Sequence, residues 1–315
     1  MSKIRYLLQI LLGVLVLLLL FAKVSEDFSK IKSVSFDVIP FILGIFAYFG
    51  LHIVMSYRIK FLLEKMHSKI DFRCILASHL GGMIVGDATP GRSGYLLTSK
   101  FLKFFCKCKT EKSLAAIIAP QGIEFLIKGL GAGAAIIYLI VKSEIVKDLL
   151  LVFFPGMLVL VLGAFVLLGI SWHNEQKSKM LLGRFPYLSN YVHRLDKFKS
   201  HSIQIKPYIT QIVMLSILGW FFIGVQWYFV GKSVGLDLTF LEYFLLHPLI
   251  TTLMFVPITP AGLGIMESGS VIALYLLGID PGTALVFTIL ARVNSIVGDL
   301  PGLYPLLKSL APNQD

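Results

Sequence analysis

Two short stretches hold the residue types that could do chemistry. One is Thr89-Pro90-Gly91-Arg92-Ser93-Gly94-Tyr95, and the other is Thr259-Pro260-Ala261-Gly262-Leu263-Gly264-Ile265-Met266-Glu267-Ser268. Each opens on Thr-Pro, where the proline removes a backbone donor. Each continues through glycines, which accept left-handed backbone at little cost. The apolar runs on either side of the second stretch, 240–256 and 265–277, are shorter than the about 20 residues that cross a bilayer. Broken backbone and a carboxylate at membrane depth are tolerated only inside protein or along a wet cavity. Two half-helices are therefore predicted to meet at Pro260, Gly262 and Gly264, with Glu267 just beyond. Pro90, Gly91 and Gly94 mark the corresponding break in the first stretch, beside Arg92 and Ser93.

Six ionisable residues fall within the apolar elements: Asp87, Arg92, Glu124, Lys128, Glu267 and Arg292. An isolated charge at the bilayer centre costs roughly 2.5–3.5 kcal/mol, so the six are expected to pair or to line an aqueous cavity. Arginine suits phosphate because its planar fork donates two hydrogen bonds at once. One reading is an anionic ligand held by Arg92 and Arg292, with Ser93 beside it and Glu267 ordering an arginine or relaying a proton. Glu124 and Lys128 stand at i, i+4, the better order for a helical pair, and Lys128 could equally face the ligand. The other reading is a buried ion-pair network that locks two halves of the chain together. Asp87 reads as an N-cap or turn residue. Thr89, Thr259 and the glycine N–H groups could bind an anion or satisfy backbone groups freed at the breaks.

Other chemistry is weaker. His79 and His247 hold corresponding positions and could share a metal, but ordinary packing is the preferred reading. No metal-ligand spacing or Ser-His-Asp set stands out, so no catalytic residue, metal or cofactor is assigned. Gly129, Gly131 and Gly133 lie in an apolar span with no strand before them, which points to close helix packing rather than a dinucleotide loop. Trp220, Trp227 and Tyr228 read as packing residues and interfacial anchors. The odd number of cysteines (Cys74, Cys106, Cys108) argues against a disulfide framework.

The elements that must position these residues are helices in a membrane. The 315 residues are 56% hydrophobic and only 15% charged, with mean hydropathy +0.81; a soluble domain is nearer a quarter charged. The net charge of +11 does not indicate nucleic-acid binding, because the basic residues gather in loops between apolar spans. The run 7–22 follows Lys3 and Arg5 and lacks a clear cleavage site, so it is expected to stay as a first helix. Five further spans are predicted at about 38–56, 113–141, 149–171, 208–230 and 283–297. Between them lie two broken elements, 74–102 and 238–277, and a basic amphipathic connector at 172–207.

Loops 57–73, 100–112 and 172–207 are strongly basic, whereas 23–37, 142–148 and 232–242 are neutral or acidic. The positive-inside rule puts the first set, and both termini, in the cytoplasm. Each broken element then starts and ends on one face, the first inside and the second outside. The prediction is an all-α polytopic integral membrane protein, one transmembrane domain over 1–315. It holds an inverted-topology repeat, about 38–141 against 208–311, with two opposed re-entrant helical hairpins. That pattern belongs most often to transporters whose site lies where the broken helices meet.

At Pro90-Gly91-Arg92-Ser93-Gly94 and at 257–267, running Pro257-Ile258-Thr259-Pro260-Ala261-Gly262-Leu263-Gly264-Ile265-Met266-Glu267, the chain resembles the lysylphosphatidylglycerol synthase transmembrane, or flippase-like, family. Gly122-Ile123-Glu124 and Arg292 support the match, which covers about residues 5–308. The resemblance implies a cytoplasmic-membrane protein that moves a phospholipid or a lipid-linked glycan between leaflets. These 315 residues are not expected to include the soluble synthase domain of bifunctional members, so synthase activity is not carried over. Two positions depart from the family pattern: Tyr95 stands where an acidic residue is usual, and Ala261 where glycine is usual.

The expected function is therefore that of a lipid transporter rather than an enzyme. Its partners would be the membrane and an anionic or phosphate-bearing lipid. Two alternatives stay open: a membrane enzyme acting on a lipid phosphate, and a non-transporting partner that docks a cytosolic lipid-modifying enzyme through the basic loops. A homo-oligomer is compatible with any of the three.

Overall fold

The computed structural model describes residues 3–24, 35–142, 151–172, 192–256, 258–260 and 262–310. Pro257, Ala261 and most of the 172–207 connector lie outside them. The architecture is all helical. Twelve α-helices are described: α1 (Lys3–Val24), α2 (Val38–Lys65), α3 (Phe72–Asp87), α4 (Thr98–Cys106), α5 (Thr110–Lys142), α6 (Phe154–Trp172), α7 (Val192–Ile205), α8 (Ile209–Ser233), α9 (Phe240–Met254), α10 (Ile265–Tyr275), α11 (Pro281–Asp299) and α12 (Leu303–Leu310). Among the described residues five helical segments are long and apolar enough to cross a membrane: Val38–Lys65, Thr110–Lys142, Leu151–Trp172, Asp196–Ser233 and Pro281–Leu310. The chain is thus a polytopic membrane protein. Consistent with lipid around it, large apolar side chains such as Phe46, Leu130, Phe165 and Met214 remain exposed on these helices.

Local sequence sets the helix starts. Asp37 caps α2, its carboxylate accepting from the Ile39 N–H at 2.9 Å. Asp71 does the same for α3, and Asp280 caps α11 through the Thr283 N–H at 3.0 Å, with Pro281 in the first turn. Thr239 and Glu242 form a reciprocal capping box at the start of α9.

Both interrupted stretches turn back on themselves. Helices α3 and α4 pack against each other, as do α9 and α10. Cys74, near the start of α3, and Cys106, the last residue of α4, have Cα atoms 5.9 Å apart and are joined by a disulfide. The first hairpin therefore ends close to where it begins. This corrects the cysteine reading: an odd count excludes pairing of all three, not of two, and the hairpin brings residues 32 apart in sequence together. Cys108 is left as a buried thiol.

The tips of the two hairpins meet. Pro90 and Pro260 form an antiparallel bridge, the β-type pairing seen among the described residues. Helix α2 packs along α8, so the segments preceding the two hairpins also run side by side. Glycine is required where the tip of the second hairpin touches α1. Gly264 has φ +82°, and a Cβ there would lie 2.7 Å from the Gly13 carbonyl oxygen.

Candidate functional site

The first tip aims Arg92 by means of unusual backbone. Gly91 and Arg92 are consecutive left-handed residues, with φ 61° and 54°; for a non-glycine residue this is uncommon and marks a position worth attention. The tip is held from within. Thr89 Oγ1 donates to the carbonyls of Val85 and Gly86 and accepts from the Gly94 N–H at 2.7 Å. A Cβ on Gly94 would lie 2.5 Å from the Val85 oxygen. On the second tip Thr259 Oγ1 donates to the Leu263 carbonyl at 2.9 Å. Of the two roles open to these threonines, the structure realises the capping of freed backbone.

All six intramembrane charges are paired. Arg92 Nε donates to Asp87 Oδ1 at 2.9 Å, and its terminal nitrogen contacts the same oxygen. Lys128 Nζ lies 2.9 Å from Glu124. Arg292 pairs with Glu267, whose other oxygen accepts from the Gly264 N–H at 2.7 Å. Glu267 is thereby fixed in the first turn of α10, where the helix dipole favours an anion. Asp87 is the last residue of α3 rather than an N-cap, and it faces Arg92. These pairs lie within 38–141 or within 208–311. They do not lock two halves together, as one sequence reading held. Contacts across the halves are made instead by the proline bridge, by Arg58 on Ser216 and by Tyr48 and His52 on Asp299.

Two cavities adjoin the tips. The larger, about 260 Å³, is lined by Arg58, His79, Gly91, Arg92, Ser93 and Tyr95 together with Glu124, Lys128 and apolar side chains. The smaller, about 140 Å³, is lined by Tyr48, Asp87, Arg92, Lys128, His247 and Arg292 among others. Arg92, Lys128, Leu51, Ile223 and Phe255 border both. The Lys128 ammonium also lies 5.5 Å from the centre of the Phe255 ring, a favourable cation–π distance. Across the two linings stand four cations, Arg58, Arg92, Lys128 and Arg292, and two carboxylates, Asp87 and Glu124. The surplus is positive. Glu267 borders neither cavity; it stands behind Arg292 as its partner.

Arg92, Ser93, Glu124, Lys128 and Arg292, read from the sequence as substrate-binding, border the two cavities; three further groups escaped that reading. Arg58, counted there as a loop charge, is buried in α2 at 3% exposure and donates to Glu124 at 3.2 Å and to Ser216 at 2.7 Å. Its signal was helical periodicity, since Leu51, Met55, Arg58 and Leu62 share one face of α2. His52 and Asp299 are also buried and lie 3.1 Å apart. His79 and His247 do not meet over a metal. His79 bonds His52 and Tyr95, while His247 rests on the Trp227 ring. Among the described residues no cluster of three or more His, Cys, Asp or Glu could hold a metal ion. Gly131 is a close-packing position, with Trp220 and Pro248 at 2.7 and 3.0 Å from a built Cβ.

The chain is similar to an archaeal protein, the UPF0104 membrane protein MJ1078 of Methanocaldococcus jannaschii, with 25% identity over 219 residues, 68% of this chain and 88% of the relative. No solved structure matches it. Residues 6–301 match the family described as Lysylphosphatidylglycerol synthase TM region. That span takes in both hairpin tips, both cavities and the pairs made by Arg92, Lys128 and Arg292, and the chain belongs to this membrane-protein family.

Proposed function

We propose that this protein is a transporter, not an enzyme, and that it moves a lipid with a phosphate-bearing head group across the cytoplasmic membrane. The observation that carries the reading is the gathering of four cations, Arg58, Arg92, Lys128 and Arg292, around cavities at the meeting point of two interrupted helices. A phosphate supplies several strong acceptors to these donors. The apolar walls, Leu51, Ile223 and Phe255, suit a ligand whose tails stay in lipid. Membership of the family described as Lysylphosphatidylglycerol synthase TM region, a lipid-related membrane family, supports the same conclusion. In this reading 38–141 and 208–311 are inverted repeats, both termini are cytoplasmic, and rocking of one repeat on the other exposes the site to each leaflet in turn.

The test is leaflet exchange in proteoliposomes, using fluorescent phospholipids and polyprenyl-phosphate lipids, with wild type beside Arg92→Ala and Glu267→Gln. The expected result is exchange of one lipid class, lost in both folded variants. Exchange of no lipid would refute transport. Exchange unchanged in both variants would move the site elsewhere.

A further inference from the structure

A line of hydrogen-bonding groups runs from the larger cavity to a buried carboxylate. Tyr95 borders that cavity, and its hydroxyl is 2.9 Å from His79 Nδ1. His79 Nε2 is 3.2 Å from His52 Nδ1. His52 Nε2 is 3.1 Å from Asp299 Oδ1, and Tyr48 donates to the other Asp299 oxygen at 3.2 Å. His52, His79 and Asp299 are each at most 1% exposed. The chain crosses four elements, from the 3-10 turn after Arg92 through α3 and α2 to α11.

With both imidazoles neutral, one arrangement of protons gives each hydrogen bond of the line a donor and an acceptor. His52 Nε2 carries its proton on the side of Asp299, 3.1 Å away but not aligned as a hydrogen bond, which leaves His52 Nδ1 as an acceptor. His79 must then donate from Nε2, which leaves His79 Nδ1 to accept the Tyr95 proton. All donors face the same way, from the cavity toward Asp299. We infer that Tyr95, His79, His52 and Asp299 form a proton path, and that the proton it delivers loosens Arg92 from Asp87 so that anion binding is linked to proton uptake.

The step balances as a relay. A proton from solvent in the cavity adds to the Tyr95 oxygen as the Tyr95 proton passes to His79 Nδ1. His79 Nε2–H passes to His52 Nδ1, and His52 Nε2–H passes to Asp299. One proton has moved, both imidazoles are again neutral in the opposite tautomer, and Asp299 is uncharged. Asp299 accepts from Tyr48, which lines the smaller cavity together with Asp87 and Arg92, and Asp87 holds Arg92. Uncharging Asp299 lowers the negative charge around Arg92 and leaves its fork available to a phosphate in the cavity. The other charged or titratable groups facing the path are Tyr48 on α2, Arg92 itself, and Arg58 with Glu124 beside His79. The link to Arg92 rests on the proposed lipid-phosphate reading of the cavity, whereas the proton path does not.

Two measurements on the full-length protein in nanodiscs test this. The first needs no ligand: time-resolved infrared spectra after an acid jump. Wild type should show a protonated-carboxyl band that Asp299→Asn lacks. Tyr95→Phe, which keeps the ring packed on His79, should slow the band by about 100-fold, the lower range for loss of a positioned proton-transfer group. A band that persists in Asp299→Asn, or an unchanged rate in Tyr95→Phe, overturns the path. The second is calorimetry with short-chain phosphatidylglycerol in two buffers of different ionisation enthalpy. Wild type should take up about one proton per probe bound, and Asp299→Asn none. Probe binding without proton uptake overturns the coupling. An intact infrared result with no probe binding leaves the path standing and overturns its coupling to this anion, along with the lipid-phosphate reading.

Discussion

Glu124 is shared by two cations, and this makes the cost of losing each partner unequal. It accepts from both terminal nitrogens of Arg58 at 3.2 Å and from Lys128 at 2.9 Å. Glu124→Gln leaves Arg58, 3% exposed, and Lys128, 15% exposed, without an anion between them. Removing one member of a buried ion pair typically costs about 3–5 kcal/mol because a charge is left uncompensated. Arg58→Met is different. It fills a similar volume, leaves the Glu124–Lys128 pair intact, and loses charge-assisted hydrogen bonds worth about 1.5–3 kcal/mol. The expected order is therefore Glu124→Gln well above Arg58→Met, by about 1–2 kcal/mol. The assay is reversible unfolding in mixed micelles, with the double variant included to extract the coupling energy. Equal costs, or a larger cost for Arg58→Met, would refute the argument. Either result would mean that Lys128 does not compensate Glu124 and that Arg58 acts mainly through Ser216 and packing.

Further outcomes are expected elsewhere. Arg92→Lys keeps the charge but not the fork, so lipid exchange should fall substantially while the protein stays folded; undiminished exchange would show that only charge matters. Gly264→Ala puts a Cβ 2.7 Å from the Gly13 oxygen at a left-handed residue. It should destabilise the protein by about 1–3 kcal/mol and raise proteolysis of α1, whereas Gly278→Ala, also left-handed but with open space around it, should leave α1 untouched. Without reductant, thiol labelling of the unfolded chain should modify Cys108 alone, and reduction should expose Cys74 and Cys106 as well; three labelled cysteines without reductant would exclude the disulfide. In the folded protein, burial pushes the Cys108 thiol up to about 11. Since the thiolate is the nucleophile, its labelling should be slow at neutral pH and rise steadily toward pH 11. A rate independent of pH over that range would contradict the buried placement.

What the sequence displayed and what it hid follow from the range of the forces involved. Helix breaks and the pairing of Glu124 with Lys128 are local, written within a few residues of one another, and the structure contains them. The partners of Asp87 and Glu267 were within reach too, since each acid sits beside a break that carries or faces an arginine. Arg58, His52 and Asp299 were not seen, for two reasons. Arg58 lies near the basic end of α2, where a charge count treats every arginine as loop. Its burial depends on Ser216 and Glu124, which arrive from helices far along the chain. His52 and Asp299 lie 247 positions apart in number, and neither is exceptional in its own segment. Only the packing of α11 against α2 makes them neighbours.

The same distinction bears on Tyr95. Judged by its own stretch, it is a lost charge against the acid expected from the family resemblance, which suggests a weakened half-site. In the fold, its hydroxyl sits on His79 at 2.9 Å, at the cavity end of a chain that finishes on a carboxylate. An acid at 95 would put a second negative charge near Glu124 and would reverse the proton order, since an ionised carboxylate can only accept from His79. Tyrosine keeps the donor direction uniform from the cavity to Asp299. Tyr95→Glu should therefore do more harm to proton delivery than Tyr95→Phe, although it restores the usual charge. In the acid-jump measurement the expected order of band rates is wild type, then Tyr95→Phe, then Tyr95→Glu with the slowest rate. A Tyr95→Glu variant as fast as wild type would show that charge at this position, not donor direction, governs the path.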